Sequence, residues 1–165
     1  MSKKLPKKVE IILFDSYLQA IKNSVGSNLF RNLYALVDGQ RMDIYKDGGL
    51  SCPVFLSSIL YLYKLSFDVH GTVGGTLKDM EKFGWHIIED VRPGAILLWE
   101  AKATEDPTND IYPSHRHLGF YIGDSKAIST SARARQPIEH HWTYGEENGK
   151  PTRKIEAIYW HDKLG

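Results

Sequence analysis

Leu18, Ile21 and Val25 stand three and four positions apart, which predicts an amphipathic helix near the start of the chain. Leu29, Leu33 and Leu36 repeat that spacing and predict a second helix, with Gly26 and Ser27 as the break. Residues 38–49 contain Asp-Gly twice and Gly-Gly once, a loop composition. Residues 53–65 are apolar nearly all round, as a buried helix is. Pro53 suits the first helical position, where its missing N–H costs nothing, so Cys52 is expected at the N-cap. A short helix over 76–83 follows, capped by Thr76 or Gly75 and stopped at Gly84. The pattern then changes. Residues 85–88, 95–100, 117–123, 126–131, 137–144 and 154–161 are rich in β-branched or aromatic types and bounded by Gly, Pro or Asp, which predicts strands. Residues 101–114 read as a polar surface loop. Helices first and strands second predict an α+β fold, with N-terminal helices packed on an antiparallel β-sheet.

Composition narrows the class. At 165 residues the chain reads as one domain over 1–165, long enough to bury a core without staples. Residues 1–8 carry four lysines and a proline and are expected to be a flexible basic tail. A net charge of +1 gives no global field for nucleic acid, and Arg133, Arg135 and the tail lysines are small spots of solvated surface. The single cysteine, Cys52, rules out an internal disulfide. No stretch approaches a membrane span, and the apolar run 11–14 is too short for a signal peptide. The expectation is a soluble chain without an export signal, either cytoplasmic or released by a non-signal route.

The candidate chemistry begins at Cys52. A helix N-terminus presents unpaired N–H groups and a positive dipole end, which favour thiolate over thiol and predict a depressed Cys52 pKa. A lone cysteine is otherwise an inert core residue. His117 opens the strand His-Leu-Gly-Phe-Tyr-Ile-Gly. Leu118, Phe120 and Ile122 alternate onto one face, leaving His117, Gly119 and Tyr121 on the other. A rigid strand suits a catalytic imidazole that titrates near neutral pH. Trp99 and Glu100 lie at a strand end where they can line a cleft.

Three blocks carry a family resemblance. Residues 47–61, Asp-Gly-Gly-Leu-Ser-Cys-Pro followed by an apolar run, resemble the nucleophile block of NlpC-type cell-wall peptidases. Arg92-Pro-Gly-Ala-Ile-Leu-Leu-Trp99 is similar to that family's Pro-Gly-Asp strand, and residues 117–123 to its His-Val-Gly strand. The resemblance covers about residues 45–131. It implies a papain-like fold, a Cys52–His117 mechanism without metal or cofactor, and a peptide-type substrate in bacterial peptidoglycan. Two residues depart from the pattern: Ser51 stands where the family has Asp, and Pro53 where it has Ser. The family's third polar residue falls twelve positions after the base, at Ser129. Whether Ser129 shares a face with His117 depends on the turn at Gly123-Asp-Ser: three loop residues put them together, two put them apart. His140 is the rival third member. Tyr45, seven residues before Cys52, resembles a family tyrosine that leans on the active site as a substrate contact.

Other classes compete. His115, His117, His140 and His141 supply imidazoles that zinc accepts, but at no recognised metal spacing. A related thiol amidase, deamidase or acyltransferase would share the thiolate and base. A catalytically inactive binding module would keep the fold and an inert Cys52.

Overall fold

The computed structural model describes residues 8–103 and 114–165. The expected tail, apart from Lys8, and residues 104–113 of the expected polar loop lie outside them.

α1 (Leu13–Asn23) buries Tyr17 and Ile21 and ends before Val25, which is 44 % exposed. The second leucine repeat is not a helix. Its residues run into a hairpin, β1 (Tyr34–Val37) and β2 (Gln40–Asp43), in which Leu36 is exposed. The Asp38-Gly39 pair decides this, because both residues adopt positive φ, the geometry of a two-residue hairpin turn. The strand over 40–43 also replaces part of the expected loop.

Ser51 occupies the N-cap position of α2 (Cys52–Leu62) without a side-chain cap bond, so Cys52 is the first helical residue rather than the cap. Phe55, Leu56 and Leu60 are fully buried in the main core. Burying each such side chain stabilises the fold by roughly 1.5–3 kcal/mol. The helix stops short of residue 65, and Lys64 turns the chain with a positive φ. α3 (Val73–Phe83) starts earlier than expected, because the Thr72 side chain accepts the Gly75 N–H and supplies the cap one turn upstream. Its end at left-handed Gly84 agrees with the sequence.

The strands are β3 (His86–Ile87), β4 (Ile96–Ala103), β5 (Ser114–Gly123), β6 (Lys126–Ser131), β7 (Gln136–His141) and β10 (Ile155–Trp160), in the order β3-β10-β4-β5-β6-β7. All neighbours are antiparallel. A small hairpin, β8 (Glu146–Glu147) and β9 (Lys150–Pro151), precedes β10. Residues 101–103 and 114, expected as loop, extend β4 and β5, which lengthens the platform beside His117 and brings His115 onto it. The chain is thus mixed α+β among the described residues, with three α-helices and a six-stranded antiparallel sheet. No described helix is long and apolar enough to cross a membrane.

The turn after β5 has two residues, Asp124 and Ser125, both at positive φ. By parity alone it would separate His117 from Ser129. A bulge intervenes: Tyr121 pairs with Ala127, yet Gly123 pairs with Lys126, so Ile122 is an extra residue on β5. The bulge does the work of a third loop residue and returns His117 and Ser129 to one face.

Candidate active site

Cys52 is held by a tightly bonded loop. The Asp43 carboxylate accepts the N–H groups of Leu33, Tyr45 and Asp47. Asp47 pairs with Arg31 at 2.6 Å and with Arg135 at 3.3 Å, and the Arg31 contact first holds its carboxyl down at about 2. Gly48, at φ +90°, lies so close to the Arg135 carbonyl that a Cβ would meet its oxygen at 2.7 Å. These contacts fasten the loop before Cys52 to the turn between β6 and β7.

Cys52 is only 4 % exposed. The main-chain N–H groups of Leu118 on β5 and of Cys52 itself favour the thiolate. Burial nevertheless dominates and pushes the thiol up to about 12, against the pull of those N–H groups and of Arg153. The depressed pKa expected from the helix N-terminus is therefore corrected: desolvation of a thiolate outweighs the helix end.

His117 pairs with Trp99 across the sheet and is 7 % exposed. Its Nε2 is buried without a hydrogen-bond partner, and the main chain of Thr130 favours a proton on the ring. Burial first, then the charge of Arg153 and the neighbouring His115 and His140, hold His117 well below 6.5. The resting pair is a neutral thiol and a neutral imidazole.

Cys52, His115, His117, Ser129, Tyr144 and Arg153 line one cleft of about 330 Å³, within the range of small-ligand sites. Ser129 Oγ lies 2.8 Å from His140 Nε2 and 3.1 Å from the Tyr144 hydroxyl. His140 Nδ1 faces the His141 carbonyl at 2.8 Å and carries the proton, so Nε2 accepts from Ser129. Ser129 thus shares the cleft with His117 but bonds to His140. Gly119 is what lets these strands close up, since a Cβ there would meet Ser129 Cβ at 2.7 Å and Trp99 at 2.9 Å.

Trp99 and Tyr45 lie off the cleft wall. Trp99 is fully buried behind the site, its ring 5.7 Å from both His117 and His140 and 5.4 Å from Tyr144. Its Nε1 donates to the Trp142 carbonyl. Tyr45 is 4 % exposed and sits against Gly71. Trp99 therefore supports the site from behind, and neither residue is part of the cleft lining.

Three lining residues escaped sequence reasoning as partners of Cys52. His115 had a usable signal, two residues before His117 and so on the same strand face. Tyr144 follows β7 and stacks on His140 at 4.1 Å. Arg153 had no signal, because only the sheet order carries the β9–β10 connection to β5. Among the described residues no group of three or more His, Cys, Asp or Glu side chains is placed to hold a metal. Compared with known proteins, the chain matches no family model and no curated sequence.

Proposed function

We propose that the chain is a cysteine hydrolase of the papain-like class, with Cys52 as nucleophile and His117 as general base. One observation carries this: a buried imidazole nitrogen without a hydrogen-bond partner lines the same cleft as the chain's single thiol. Cys52 Sγ adds to an amide carbonyl carbon while its proton passes to His117 Nε2. The C–N bond then breaks, the amine leaves with that proton, and a thioester remains. Water attacks the thioester, giving its proton to His117, and the acid departs as the thiol is restored. Pro53 has no N–H, and the Cys52 N–H remains to serve the oxyanion.

More particularly, we infer an NlpC-type peptidase acting on bacterial wall stem peptides. Support for that substrate comes from the three resembling blocks around Cys52, Pro93-Gly94 and His117. Incubation with purified muropeptides, with products read by mass, tests it. Wild type should cleave and Cys52→Ser should not. Absence of cleavage removes the wall substrate, and ammonia release or acyl transfer instead of peptide cleavage would point to the related amidase or acyltransferase chemistry. A binding module with an inert thiol is the second reading, favoured by the thiol raised to about 12. It predicts that Cys52 resists iodoacetamide at pH 7 whether or not His117 is present.

A further inference from the structure

Arg153 differs from the arginines that brace the fold. Arg31 and Arg135 pair with Asp47, and Arg116 with Glu156. Arg153 instead spends Nε and Nη2 on carbonyl oxygens. Nε donates to Glu100 O at 3.1 Å, and Nη2 to Glu100 O at 2.9 Å and His115 O at 3.1 Å. Carbonyls orient a guanidinium without cancelling its charge. Among the described residues no carboxylate forms an ion pair with Arg153. The described lining of the cleft includes Arg153 and Lys102 and no Asp or Glu. The imidazoles add no negative charge, and the buried His115 Nδ1 and His117 Nε2 both await partners. A fixed cation in a wall with no Asp or Glu among its described residues is an arrangement that attracts an anion.

We propose that Arg153 forms a carboxylate subsite beside Cys52, so that the preferred substrate carries a carboxylate next to the bond under attack. The subsite rests on the hydrolase reading given above and narrows its substrate class. Lys102, on the same wall, adds long-range attraction. Arg153 lines the same cleft as Cys52, His115, His117 and Tyr144.

Two alkylating probes of the same shape test this, since Cys52 is the only thiol and intact mass reports it alone. In both, sulfur attacks the CH2 carbon, iodide leaves, and the thiol proton goes to His117 or to solvent. Iodoacetate carries a carboxylate; iodoacetamide is its neutral counterpart. The rate ratio of iodoacetate to iodoacetamide on the wild-type protein should exceed that of glutathione by about tenfold, the scale of electrostatic focusing in a charged cleft. Sodium chloride should lower the excess, and Arg153→Gln should abolish it while Arg133→Gln leaves it intact. The wild-type ratio and its salt dependence need no variant, so misfolding of Arg153→Gln would not hide the answer. A wild-type ratio equal to that of glutathione, with both probes labelling through His117, overturns the subsite and leaves the hydrolase reading standing. Labelling by neither probe overturns the hydrolase reading and the subsite with it.

Discussion

α2 carries a polar cluster at each of two places, and the clusters differ in one respect. Toward α3, Asp79 is bonded throughout: its carboxylate accepts the N–H groups of Phe67 and Asp68 and meets His70 Nε2 at 2.6 Å. Ser57 of α2 closes that cluster by accepting the His70 N–H and donating to the Pro53 carbonyl. Toward β5, Cys52 shares a cleft with His115 and His117, each of which keeps a buried ring nitrogen without a partner. A bonded polar cluster holds a loop in place; unmet donors and acceptors cost stability and persist where a ligand meets them. The two clusters therefore differ in whether their polar groups are met within the described chain.

The sharpest way to break that division is to swap the expected losses. His117→Gln should lower muropeptide turnover by about 10²–10⁴-fold, the worth of a general base, with little change in the thermal midpoint. Cys52→Ser should abolish turnover with a similarly small thermal shift. Stability loss with full activity in either variant would place these residues with Asp79. Asp79→Ala should do the reverse. It strands two N–H groups and the His70 ring, so denaturant titration should show a loss of roughly 2–4 kcal/mol. The Cys52 labelling rate should hardly move, and a collapse of that rate would show that the two clusters are coupled.

Acid should distinguish the clusters by sign and by window. His115, His117 and His140 are held below 6.5 by burial first, so the unfolded chain binds protons there that the folded chain refuses. Stability should therefore fall as pH drops below 6.5, by at most about 1.4 kcal/mol per pH unit per histidine. His117→Gln should flatten that slope in unfolding curves taken between about pH 5 and 7, and an unchanged slope would contradict a buried neutral His117. Asp79 opposes desolvation with bonds from His70, Phe67 and Asp68, and its pKa is lowered from 3.8. Its contribution is present above 3.8 and is lost only as pH falls through the lower folded value.

The smallest effect belongs to Ser129. Its bonds run to His140 and Tyr144, so Ser129→Ala removes support one step from the base. A loss of about 0.5–1.5 kcal/mol, two- to tenfold in turnover, is expected. A loss as large as that of His117→Gln would mean that Ser129 contacts the reacting groups directly.

Local signals made much of this protein legible from its residues. The all-round apolar run after Pro53 specified a buried helix. Alternation at Leu118 and Phe120 specified which face of β5 is core and which carries His117, and β6 falls at residues 126–131 as the pattern required. That Cys52 and His117 line one cleft was legible only as motif order. The leucine repeat at 29, 33 and 36 misled because Asp38-Gly39 imposes a hairpin that spacing does not register.

Tertiary structure decided the remainder, because each such feature depends on residues far apart in the chain. The bulge at Ile122, which two-residue turn chemistry alone does not forecast, puts Ser129 on the face of His117. Strand order delivers Arg153 to a wall built by β4 and β5. Burial reverses the expected shift of the Cys52 thiol, since a helix end acts within one turn whereas desolvation is set by every element packed around the sulfur. Periodicity is a property of neighbours along the chain and is written in it; charge, dielectric and face parity at the cleft are sums over the assembled sheet.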